Sequence, residues 1–93
     1  MNSQMHISDL ENIISEKIFI KIEKWNLYLG DAGLARELAL ECINNLEKGS
    51  REAAKLSLDA IRVKVGDGNQ TILLSKLITA SQIYDLEEIL DNL

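Results

Sequence analysis

The chain contains no proline, one cysteine, one histidine, one tryptophan and one phenylalanine. Without proline there is no cis-Pro turn and no stiff Pro-rich linker. A single cysteine excludes an internal disulfide and suits a reducing compartment. One His and one Cys cannot assemble the usual zinc sites, which take four such ligands, or three and a water. Acid–base work by histidine would fall to His6 alone, ahead of the first expected element and read as a surface residue. No apolar run approaches the ~20 residues of a membrane span. The opening MNSQMHISD has no basic region leading into an apolar core, so a secretory signal is not expected. The net charge of −5 disfavours nucleic acid, whose phosphates must be neutralised by many Lys and Arg.

What the sequence does hold is aliphatic. A hydrophobic fraction of 46% supports one core in 93 residues, read as a single domain after a frayed lead-in over Met1–Ile7. The stretch from Ser8 to Leu29 reads as one long helix. Ser8 and Glu11 form a capping-box pattern, and Asp9 and Glu11 suit the positive end of the helix dipole. Leu10, Ile14, Ile18, Ile22, Trp25 and Leu29 recur at steps of three and four and define one face. Ile13, Ile20 and Leu27 form a second apolar line almost opposite. Two apolar faces imply a helix gripped from both sides, within a monomer or by a partner. Gly30 is read as the C-cap glycine of this helix.

Asp31 is the expected N-cap of a second helix over Ala32–Lys48, stopped by Gly49. Its apolar stripe includes Cys42, which there behaves as a small hydrophobe. Ser50 opens a third helix over Arg51–Asp59. The period then shortens to two: Ile61, Val63 and Val65 alternate with Arg62 and Lys64, as in a half-buried strand. With residues 70–74 returning, 61–65 makes an antiparallel β-hairpin around Gly66-Asp67-Gly68-Asn69. That loop lacks the ligand series of an EF-hand and the Gly-Lys-Ser/Thr of a P-loop, so it is read as a turn. Ser75–Ala80 suggests a helical turn, and a last helix runs from Ser81 or Gln82 to Asn92. The expected class is α+β and mainly helical: about four helices and one two-stranded hairpin, with helix 8–29 at the centre.

No catalytic residue, metal ligand or cofactor site emerges, and the chain is read as non-enzymatic. Candidate surfaces remain. The last helix carries Asp85, Glu87, Glu88 and Asp91 with no Lys or Arg, opposite in sign to Lys48, Arg51, Lys55, Arg62 and Lys64. The two regions suit each other within a homodimer or along a partner. The most individual string is Lys24-Trp25-Asn26-Leu27-Tyr28-Leu29-Gly30-Asp31-Ala32. The favoured reading makes Trp25 a core plug where the first two helices cross. The other makes Trp25, Tyr28 and Asp31 an exposed patch suited to binding, because indole and phenol rings are apolar with a polar edge.

That string, with Arg62-Val63-Lys64-Val65 before the Gly-rich turn and Leu86-Glu87-Glu88-Ile89-Leu90 in the tail, resembles a small cyanobacterial family of unknown function. The likeness runs from Leu10 onward, and some members of that family are thylakoid-associated. The family's hairpin and following segment carry Pro, which this chain lacks. The resemblance brings no catalytic residues; it implies a cytoplasmic protein, peripheral on the cytosolic face of a photosynthetic membrane. The expected function is an accessory protein bound to a membrane protein complex through a protein partner, without inserting into lipid. The alternative is a small-molecule sensor with a pocket near Trp25, Tyr28 and Lys64.

Overall fold

A computed structural model describes residues 7–22, 25–65 and 70–93. Helix α1 (Ile7–Lys17) opens the fold, with Asp9 in its first turn, Lys17 in its last, and Leu10 and Ile14 buried. The chain then turns into strand β1 (Phe19–Ile22), which pairs antiparallel with β2 (Trp25–Tyr28). After the four-residue helix α2 (Leu29–Ala32) come α3 (Ala35–Asn45), a 3-10 turn (Leu46–Lys48) and α4 (Ser50–Ala60). A second antiparallel hairpin, β3 (Arg62–Val65) with β4 (Gln70–Leu73), leads through a 3-10 turn (Leu74–Lys76) into α5 (Ala80–Asp91).

The class is therefore α+β and mainly helical. Three helices, α3, α4 and α5, and the hairpin after Ile61 lie close to where the periodicity puts them. The turn expected at Gly66–Asn69 and, of the lead-in expected over Met1–Ile7, residues 1–6 with His6 fall outside the described residues, while Ile7 already belongs to α1.

The long helix of residues 8–29 is replaced by α1, a hairpin and α2. A hydrophobic step of four is also two steps of two, so Ile14, Ile18 and Ile22 fit a helix and an alternating strand equally. The local composition separates them: Ile18-Phe19-Ile20-Lys21-Ile22 is rich in β-branched residues, which favour strands. The supposed second apolar face has the same origin, because Ile20 and Leu27 are directly opposed across the hairpin. Starting the helix at Ile7 also puts Ser8 within its first turn. Glu11 pairs instead with Arg36 at 3.2 Å, while its carbonyl accepts from the Ser15 hydroxyl.

Gly30 ends no helix; it lies inside α2, where the chain presses on α1. A Cβ at Gly30 would stand 2.8 Å from Ser15 Cβ and 3.2 Å from the Ser15 carbonyl oxygen, too close to fit unmoved. Asp31 likewise caps nothing downstream. It lies in α2, and α3 begins three residues later than expected behind Leu34, with no side-chain cap. The break is made by Gly33, at a φ of +74°.

The core collects Leu10, Ile14, Ile18, Ile20, Leu29, Leu38, Leu58, Ile61, Leu74 and Leu86, all at most 1% exposed. Where α3 and α4 pack, the small residues Ala39, Cys42, Ala53, Ala54 and Ser57 are buried, letting the helices approach closely. The buried amide of Gln82 ties α5 to the first hairpin. Its Oε1 accepts from the Phe19 amide at 2.7 Å, its Nε2 donates to Asp85 at 3.0 Å, and its own backbone amide donates to the Thr79 cap hydroxyl at 3.2 Å.

Gln82→Leu keeps the volume and strands the Phe19 amide; denaturant titration should show a loss of about 1–3 kcal/mol. Gly30→Ala should destabilise by about 1–3 kcal/mol, although alanine is the better helix former, because overpacking against Ser15 outweighs propensity. A Gly30→Ala protein as stable as wild type would show that α1 and α2 have room to separate.

Candidate interaction surface

Trp25 stands at the far end of the first hairpin. Alternation puts it on the face shared by Ile20 and Leu27. Along that face exposure climbs from 1% at Ile20, through half-buried Leu27, to 73% at Trp25. The register aims Trp25 at the interior side, but the core stops short of it. The core-plug reading is thereby corrected: with Ser8–Leu29 not a single helix, the helix crossing that was to hold Trp25 does not exist.

Tyr28 lies on the opposite face, 42% exposed. It packs edge-on against Phe19, with ring centroids 5.4 Å apart and planes at 60°. Phe19 and Tyr28 are cross-strand partners, and an edge-to-face pair of this kind stabilises a hairpin by about 0.5–1.5 kcal/mol. Trp25 and Tyr28 thus share a strand and point away from each other, so the two rings form no single flat patch. Asp31 follows on α2 and is exposed.

The acidic row on α5 is less uniform than its sequence. Asp85 accepts from buried Gln82, and Asp91 accepts from the Ser50 hydroxyl at the start of α4. The Asp91 bond ties α5 to α4, while the Asp85 bond lies within α5 and orients Gln82. Glu88 is exposed, while half-buried Glu87 borders an open cleft of about 650 Å³ between α4 and α5. Arg51, Lys55, Glu52 and Asp59 share that cleft, so it mixes charges of both signs. A second open cleft of about 410 Å³ lies among Lys17, Asp85, Glu88, Ile89 and Asn92. Neither is lined by Trp25, Tyr28 or Lys64.

Gln82 is the residue that sequence reasoning missed. A glutamine near a helix start carries no signal of burial, and only the outward-facing amide of Phe19, 63 residues away, gives it a role.

Cys42 is fully buried beside Ser57. Burial pushes its thiol from 9.0 up to about 11, against a smaller lowering by the Ser57 hydrogen bond. Among the described residues no group of three or more His, Cys, Asp and Glu is placed to hold a metal ion. Among them too, no helix is long and apolar enough to cross a membrane.

These features define a small helical α+β domain with an aromatic-tipped hairpin. The chain belongs to the family described as "Protein of unknown function (DUF3181)", whose model matches residues 7–93. No curated protein and no solved structure matches it.

Cys42 should resist aromatic disulfide reagents at neutral pH in the folded protein and react at once in denaturant. With a folded pKa above the unfolded one, its stabilising contribution is whole below pH 9.0 and is lost as the pH climbs through about 11. Cys42→Ala should flatten that alkaline part of the stability profile; an unchanged profile would assign it to other groups.

Proposed function

We propose that this protein acts by binding rather than by catalysis, as an accessory protein that docks on a protein partner through its first hairpin. The observation that supports this reading is Trp25. It is the largest side chain in the sequence, set on the inward side of a short hairpin yet 73% exposed, where a partner can cover it. Trp and Tyr are the residues most enriched in the energetic centres of protein interfaces. Beside them Asn26 is also exposed, which supplies polar hydrogen-bonding groups at the rim.

The partner proposed is a membrane protein complex, met from the cytosolic face of a thylakoid membrane. This localisation rests on the family resemblance of the sequence. The hairpin is the primary contact. Glu88 and Glu87 on α5 give a secondary acidic contact, since Asp85 and Asp91 are occupied within the fold.

A pull-down from detergent-solubilised cyanobacterial membranes tests the reading. Trp25→Ala, Tyr28→Ala should lose a partner that the wild type retains. Circular dichroism should show the double variant folded, with the Trp25 change itself altering stability by no more than about 0.5 kcal/mol. Capture of the same partner by the folded double variant would remove the hairpin from the interface.

A further inference from the structure

The backbone of the first hairpin has one edge closed and one open. The Leu29 amide donates to the Ile18 carbonyl at 2.9 Å, which makes residues 18 and 29 a hydrogen-bonded pair. Antiparallel ladders alternate, so Ile20–Leu27 and Ile22–Trp25 bond across the hairpin, while Phe19, Lys21, Asn26 and Tyr28 turn their backbone groups outward. On the β1 side both outward amides are taken: Phe19 donates to Gln82 at 2.7 Å and Lys21 to the Leu77 carbonyl at 3.2 Å. On the β2 side, Tyr28 spends its carbonyl on α2, for which it is the N-cap. The amide and carbonyl of Asn26 have no hydrogen-bond partner among the described residues.

We propose that this open edge of β2 pairs with the same edge of a second copy, centred on Asn26, to give a continuous four-stranded antiparallel sheet across a twofold axis. The inference rests on the reading of the hairpin as the binding surface and names one partner for it. Twofold pairing at Asn26 lets each Asn26 amide donate to the other's carbonyl. The same register places Trp25 of each chain beside Leu27 of the other, on one face. The exposed indole then covers a side chain that is half-buried already.

Charge does not oppose self-association at this site. The chain carries −5, but from Phe19 to Tyr28 the sequence has Lys21, Glu23 and Lys24, a local +1. Copies therefore meet there without opposing their acidic α5 faces. On the second hairpin, Arg62 and Lys64 occupy the outward positions of β3, the usual charged guard of an edge, while the outward, exposed Thr71 of β4 is uncharged but has no exposed aromatic ring beside it. Two hydrogen bonds and a pair of Trp–Leu contacts fall below the ~1,200 Å² of a standard interface, so the dimer is a weak one.

Sedimentation equilibrium on the full chain tests this. Wild type should rise towards twice its monomer mass between about 10 μM and about 1 mM, as suits an interface of that size. The rise should sharpen with added salt, which screens the repulsion between two acidic chains. Asn26→Pro removes the outward amide yet leaves the bonds within the hairpin, since Asn26 makes none across to Lys21. It should remain monomeric throughout, as should Trp25→Glu, which needs no buried space. Thr71→Pro, the same change on an outward position of β4, should dimerise as wild type does. A monomeric wild type at about 1 mM, a dimer in either folded Asn26→Pro or Trp25→Glu, or loss of the dimer in Thr71→Pro would each overturn the proposal. If the wild type is monomeric but captures a membrane partner through Trp25, this inference fails and the reading of the hairpin stands. If the Trp25 variants also leave that capture unchanged, both fail.

Discussion

The buried carboxamide of Gln82 is the interaction on which the arrangement of this fold depends. A two-stranded hairpin is marginal in water by itself, and β1–β2 has only four residues in each strand. Its β1 edge would be a row of bare amides facing α5 if nothing met them. Gln82 supplies the acceptor for Phe19, and Leu77 supplies the one for Lys21. Because its other amide group bonds Asp85 and its backbone amide is held by Thr79, the side chain has little freedom left. The carboxamide is almost fully desolvated, and it is tolerated because every polar atom on it is paired. One residue thereby fixes the first hairpin against the last helix and leaves β2, not β1, as the free edge.

The parts of the fold that the sequence made legible are those where one period applied. In α3, α4 and α5 the apolar residues return at helical spacing and at no other. In β3 the alternation of Val63 and Val65 with Arg62 and Lys64 admits only a strand. Residues 18–29 were ambiguous because even-numbered isoleucines satisfy both periods at once. The usual arbiter would be a turn signal, and Glu23-Lys24 has neither Gly nor Asn. Helix caps at Ser8 and Asp31 were plausible on residue type, but an N-cap is defined by what its side chain bonds, and the real breaks lie at Gly33 and Ile18. Gly30 looked like a stop for the same reason; its smallness serves a close approach to Ser15 rather than a left-handed turn.

The candidate surface was legible as a string and illegible as an arrangement. Trp25 and Tyr28, three apart, share a side on a helix and are on opposite faces of a strand. The change from helix to strand therefore divides the expected aromatic patch in two. Tyr28 turns to Phe19 and contributes to the hairpin itself, while Trp25 is left as the exposed group. A similar division runs through the acidic row, where Asp85 and Asp91 are drawn into the fold by Gln82 and Ser50. Composition showed where the chemistry was concentrated, and tertiary contacts decided how much of it stayed available.

A single exposed tryptophan on a small domain needs no special cause, since isolated apolar side chains are common on protein surfaces. What gives Trp25 weight is its conjunction with the backbone beside it. Edge strands are normally guarded by charge, as β3 is by Arg62 and Lys64. On β2 the side chains from Trp25 to Tyr28 are uncharged, and its outward backbone groups at Asn26 have no partner among the described residues. An unguarded edge and an uncovered indole are each mildly unfavourable in water, and one contact relieves both. Strand addition completes the ladder and covers the ring in the same step. That economy is the physical case for the proposed pairing at the first hairpin.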